Sequence, residues 1–143
     1  MKKFILIGIL LVSTAMCAQG TDIYGALTGV LGPGEYNVIG TIAVPAGDSL
    51  TIMPATTLIF SGDFDFNIFG YLYAVGTEED SINFLKNPTS DNWNGLDFLP
   101  SASDNSILQY CRIEQSNCIG VNVTGCAPSI LNCTFKSCNA GGG

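Results

Sequence analysis

A 22-residue repeat constrains this chain more than any other feature. Set one above the other, Ser106-Ile107-Leu108-Gln109-Tyr110-Cys111-Arg112-Ile113-Glu114-Gln115-Ser116-Asn117 and Pro128-Ser129-Ile130-Leu131-Asn132-Cys133-Thr134-Phe135-Lys136-Ser137-Cys138-Asn139 superimpose without a gap. Leu108 meets Ile130, Cys111 meets Cys133, Ile113 meets Phe135 and Asn117 meets Asn139, while Glu114 falls over Lys136. Self-similarity at a fixed period of 20 to 50 residues marks a solenoid, and this period is too short for the helical repeats. A rung of a parallel β-helix fits it. Two side chains of one type at one register position then form a ladder, so Cys111 with Cys133 and Asn117 with Asn139 are expected to stack as structural pairs.

The rest of the chain reads the same way. Ile42 and Val44 run into Pro45-Ala46-Gly47-Asp48, Leu50 and Ile52 into Met53-Pro54-Ala55, and Leu58 with Phe60 into Ser61-Gly62-Asp63. Strands this short, separated by Pro, Gly and Asp corners, suit a coil with several faces per turn better than a meander of hairpins. Within the repeat, Cys111 and Ile113 should point inward with Cys133 and Phe135, leaving Arg112, Thr134, Glu114 and Lys136 outside. The three-residue step from Leu108 to Cys111 marks a corner, and Asn117 over Asn139 a second turn, where Asn tolerates unusual backbone angles. Glu114 over Lys136 is an exposed pair worth under about 1 kcal/mol. Hydrophobic content of 47% against 12% charged residues fits a coil in which every rung fills its own interior.

The first 20 residues stand apart from the coil. Lys2 and Lys3 precede an apolar run from Phe4 to Val12, and small residues lead to Ala18-Gln19-Gly20. That is the pattern of a signal peptide cleaved before Thr21. The run is too short for a spanning helix, which needs about 20 apolar residues. Cys17 leaves a lipoprotein signal as the weaker alternative, since Met16 and Thr14 stand where small and apolar residues are wanted. Removing the leader leaves the cations Lys86, Arg112 and Lys136 against all 12 acidic residues. Such a surface has no basic stripe for phosphates, which argues against nucleic acid as a partner. The remaining cysteines, Cys111, Cys118, Cys126, Cys133 and Cys138, are odd in number. Export permits disulfides, but the packing reading is preferred, since a stacked buried cysteine is a small hydrophobe. With no histidine and no Cys-x-x-Cys pair, zinc has no ligand set.

A family resemblance follows from three motifs. Val44-Pro45-Ala46-Gly47-Asp48-Ser49-Leu50-Thr51-Ile52-Met53-Pro54-Ala55-Thr56 is followed by Gly70-Tyr71-Leu72-Tyr73-Ala74-Val75-Gly76-Thr77 with Ile82-Asn83-Phe84, and then by Trp93-Asn94-Gly95-Leu96-Asp97-Phe98. From Tyr36 to Gly143 the chain resembles the secreted right-handed parallel β-helix repeat proteins of the pectate-lyase-like superfamily, in particular its bacterial surface members. The resemblance implies an all-β, right-handed parallel β-helix with rungs of about 22 residues. Residues 1–20 are then the signal peptide, 21–40 a lead-in and cap, and 41–143 the rungs. Ala55 departs from the pattern, which has glycine there. Gly141-Gly142-Gly143 looks like the opening of a further rung, so more coil, or a C-terminal sorting domain, is expected beyond it.

The superfamily holds lyases, hydrolases, adhesins and spacers, so activity must be read from residues. A lyase of this type needs a carboxylate cluster for Ca²⁺ and a basic side chain to take the proton. Arg112 is the only arginine, and its register neighbours are Tyr110, Glu114, Asn132, Thr134 and Lys136. A hydrolase needs converging carboxylates, and Asp63 with Asp65 lies at strand spacing inside a turn, where Asp is ordinary. No catalytic set is assigned. Glu78-Glu79-Asp80 offers hard oxygen ligands for Ca²⁺, but consecutive acids at a turn diverge into solvent. Tyr71, Tyr73 and Trp93 are the candidate glycan contacts, since amphipathic rings stack on sugars, although the resemblance puts Trp93 at a recurrent position that covers the coil. Asn122 and Asn132 open N-x-Thr sequons, relevant only in a eukaryotic secretory pathway. The expectation is an exported cell-surface or extracellular scaffold for adhesion or glycan contact. The alternative is the N-terminal part of a polysaccharide lyase or hydrolase with its site beyond residue 143. A leader of this kind predicts that Edman sequencing of the exported protein begins at Thr21; a chain that retains Lys2 and Lys3 would contradict it.

Overall fold

The structure is a computed structural model that describes residues 20–90, 92–117 and 119–138. The leader, Cys118 and Asn139 lie outside the described residues, so cleavage and the Asn117–Asn139 ladder are not addressed by it. Among the described residues there is no helix. Fourteen strands follow one another: β1 (Thr21–Ala26), β2 (Gly29–Leu31), β3 (Gly34–Val44), β4 (Ser49–Ile52), β5 (Thr56–Phe60), β6 (Phe66–Ile68), β7 (Tyr71–Val75), β8 (Ile82–Lys86), β9 (Leu96–Phe98), β10 (Ile107–Gln109), β11 (Cys111–Glu114), β12 (Val121–Val123), β13 (Ser129–Leu131) and β14 (Thr134–Lys136). Every pairing between them is parallel.

The pairings sort the strands into three strips that the chain visits in fixed rotation. The start of β3 pairs with β5, then β8, β11 and β14 follow as the first strip. The end of β3 pairs with β6, then β9 and β12, as the second. The third runs through β2, β4, β7, β10 and β13. Because β3 belongs to two strips, they form one strongly curled sheet of nine strands with β1 on its edge. The expected parallel all-β architecture is present as this curled sheet, which is compatible with a solenoid.

Inward positions stack apolar on apolar from one circuit to the next. Ile42, Phe66 and Leu96 lie in register, as do Val44, Ile68 and Phe98, and Leu58, Phe84 and Ile113. All of them are buried. Each such side chain removes area worth about 1.5–3 kcal/mol from water. The alternation on β11 is as the sequence requires, with Cys111 and Ile113 buried and Arg112 exposed. Buried hydroxyls take part in hydrogen bonds: Thr56 donates to the nearby Met53 carbonyl at 2.7 Å, and Ser106 Oγ accepts from the Leu72 N–H at 3.1 Å across circuits.

The 22-residue spacing holds between Ser49 and Tyr71, Gly34 and Thr56, Ile107 and Ser129, and Arg112 and Thr134. In mid-chain it stretches. Phe66 faces Leu96 and Tyr73 faces Ile107, because loops after Lys86 and Leu99 insert extra residues at corners without disturbing the strands. Corners also explain the backbone outliers. Tyr110 (φ 51°) and Asn132 (φ 52°) are left-handed at equivalent places before the first strip, and Gln115 (φ 58°) and Ser137 (φ 55°) after it. The second turn therefore uses Gln115 and Ser137 for its unusual angle, two residues ahead of the expected Asn117.

Ala55 sits at the first of these corners with φ 64°, ahead of Thr56. A left-handed backbone costs a Cβ-bearing residue roughly 1–2 kcal/mol, and the exposed Ala55 methyl gains little burial in return. Ala55→Gly should therefore stabilise the fold by about 0.5–1 kcal/mol, read as a higher urea midpoint with an unchanged slope.

Candidate functional site

The outward face of the third strip carries the aromatic pair. On β7 the alternation buries Leu72 and Ala74 in the core and turns Tyr71 and Tyr73 out. Their ring centroids lie 6.5 Å apart with planes at 51°. Tyr71 is opposite Ser49 on one neighbour, and Tyr73 lies between Thr51 and Ile107. Next to Tyr71 is an open cleft of about 290 Å³ lined by Gly47, Asp48, Ser49, Gly70, Ser101 and Ser103. The backbone closes tightly beneath it, since Tyr71 N–H donates to Asp48 O at 2.9 Å and Ser103 N–H to Gly70 O at 2.9 Å. A Cβ on Gly70 would stand 2.2 Å from Pro45 O and 2.3 Å from Asp48 O, so only glycine fits this contact between circuits. The cleft thus offers one carboxylate, hydroxyls and an aromatic wall.

Trp93 takes no part in that surface. It is fully buried, stacked on Phe60 with centroids 4.2 Å apart, and its Nε1–H donates to the Glu114 carbonyl at 2.9 Å. A ring enclosed on both faces and satisfied at its nitrogen has no surface for a sugar. The glycan-contact expectation for Trp93 is therefore corrected to a core role, because the loop after Lys86 folds it over the coil.

A second cleft, of about 410 Å³, joins Asp65, Asn94, Gly95, Leu96, Asp97, Ile119 and Asn122 at the start of the second strip. Asn122 Nδ2 donates to Asp97 Oδ1 at 2.8 Å. Gly95 (φ 91°) admits no side chain here, as a Cβ would lie 2.4 Å from Ile119 O. Asp65 thus shares a cleft with Asp97 from the next circuit, a grouping the sequence hides behind the stretched spacing.

A third, smaller cleft brings Glu78 and Ser81 beside Arg112, Tyr110, Asn132 and Thr134. Arg112 forms its ion pair with Glu114 of its own strand, both side chains projecting from the same outward face. Glu114 does lie in register with Lys136 as expected, but the ion pair it forms is with its i, i+2 neighbour Arg112. Glu78, Glu79 and Asp80 lie in a turn held by the Asp80 N–H to Thr77 Oγ1 bond of 2.9 Å. Among the described residues no group of three or more His, Cys, Asp or Glu side chains is placed to hold a metal ion. No helix among them is long and apolar enough to cross a membrane.

Cys111 and Cys133 fall between flanking register partners on neighbouring circuits. Cys111 is buried, and its Sγ lies 3.4 Å from Ala74 O; Cys133 is half-buried, with Sγ 3.5 Å from Leu108 O. The neighbouring thiol, together with burial, raises the Cys111 pKa, and the same interaction lowers that of Cys133 to about 7. No family model, curated protein or solved structure matches this chain.

With Trp93 in the core, Trp93→Ala should cost about 3–5 kcal/mol, a large share of the roughly 5–15 kcal/mol that holds a domain of this size. Far-ultraviolet dichroism during urea unfolding measures it, and a cost under about 1 kcal/mol would place the ring at the surface.

Proposed function

We propose that this chain is an exported right-handed parallel β-helix of the pectate-lyase type, acting as a cell-surface or extracellular scaffold that contacts glycans through Tyr71 and Tyr73. The parallel pairing of every strand and the three quoted motifs support the fold, and crossovers between parallel strands are right-handed in nearly all proteins. The leader-like first 20 residues support export. One observation carries the glycan reading: two tyrosine rings share one outward strand face beside a cleft lined by Asp48, Ser49, Ser101 and Ser103. Rings present an apolar face to the C–H side of a pyranose, while hydroxyls and a carboxylate bind its O–H groups. The acidic balance favours neutral glycans over polyuronates, which would be repelled.

Affinity electrophoresis through gels containing soluble neutral polysaccharides tests this reading. The wild-type chain should be retarded by at least one of them. Tyr71→Ala and Tyr73→Ala should each weaken retention about 2- to 10-fold, the share expected of one stacked ring, with dichroism unchanged. Equal mobility in every gel would leave a spacer without a ligand.

A further inference from the structure

Cys111 and Cys133 are held one above the other by flanking register. Gln109 faces Leu131 on one side of them and Arg112 faces Thr134 on the other. Parallel neighbours stand about 4.8 Å apart, inside the roughly 4.4–6.8 Å between Cα atoms that a disulfide spans. Both sulfurs point the same way, against the carbonyls of Ala74 and Leu108, which are themselves register partners on the third strip.

We propose that Cys111 and Cys133 form a disulfide between successive circuits, closed by exchange with a small disulfide such as oxidised glutathione. Cys133 Sγ loses its proton and attacks one donor sulfur, breaking the donor S–S bond and releasing a first thiolate, which takes up a proton. Cys111 Sγ then attacks Cys133 Sγ in the mixed disulfide and expels the second donor thiolate, which takes the Cys111 proton. The two cysteines are oxidised and the donor is reduced to two thiols. Burial sets the order: Cys133 is reachable and is the thiol whose ionisation its partner assists, while Cys111 is enclosed and resolves the intermediate. The other described thiols are placed differently. Cys138 Sγ lies 3.4 Å from Ile113 O, and Cys126 sits near Asp104 and Asp97, with burial and Asp104 pushing its thiol up. The bond would tie the last described circuit to the one before it, independently of any glycan.

The folded full chain is incubated with oxidised glutathione, denatured, alkylated with a maleimide and digested with trypsin without reduction. Cleavage after Lys86, Arg112 and Lys136 places Cys111 in residues 87–112 and Cys133 in 113–136. The expected result is one joined pair of these peptides, with fragment masses placing the bond at Cys133. It should persist in Cys126→Ser and vanish in Cys133→Ser, whose half-exposed site tolerates a hydroxyl. Alkylated Cys111 throughout, a bond to Cys118 or Cys126, or joined peptides surviving in Cys133→Ser each overturn the proposal. The wild-type experiment reads the outcome without Cys111→Ser, which loses a buried side chain.

Discussion

Stacking of inward side chains on their counterparts one circuit away is the interaction on which the rest of this structure depends. Strands such as β6, β9 and β11 each give the interior only two residues, so no single circuit can enclose a core. Leu58 is shielded because Phe84 lies on it, and Phe84 because Ile113 does. The register is enforced by the same contacts, since a slip of one residue would bring Asn83 and Arg112 inside and turn Phe84 and Ile113 to water. Backbone hydrogen bonds fix the direction of pairing. The side-chain ladder fixes which residue meets which.

A coil of this kind must also turn sharply between flat strips, and here single residues accomplish it. The left-handed angles at Tyr110 and Asn132 recur one circuit apart, as do those at Gln115 and Ser137. None of the four is glycine, so the strain of a Cβ in that region is outweighed by the ladders on either side. Corners are equally where the chain can grow. The loop after Lys86 adds residues, yet Phe66 still meets Leu96, because extra loop length costs closure entropy only slowly. Trp93 came to lie on Phe60 through that insertion, and its indole N–H reaches Glu114 O in the following circuit.

What was legible in the sequence follows from this division between strips and corners. Strips announce themselves: the alternation of Cys111, Arg112 and Ile113, and its copy in the next repeat, gave faces and pairing together. Corners do not, because their residues share no period. The meeting of Asp65 with Asp97 in one cleft depends on loops of unequal length, so no fixed register places one over the other. The choice of Arg112 by Glu114 depends on reach along a strand, which an alignment of repeats cannot express. Ala55 lay between these cases. Its departure from a glycine pattern marked a demanding backbone, and φ 64° is that demand.

Equivalent positions in the two aligned repeats are not equivalent in environment. Ile113 is fully buried whereas Phe135, its register partner, is 47% exposed, although both are large apolar side chains. The difference lies in neighbours: β11 has a strand on each side, while β14 has β11 alone among the described residues. Burial in a stacked coil is therefore set by position along the stack as much as by residue type. The same asymmetry splits the cysteine ladder. Cys111 is enclosed by the circuits around it, Cys133 keeps one side open, and two thiols of identical chemistry thereby acquire opposite shifts from facing one another. A repeat in sequence has become a pair of unlike groups in space.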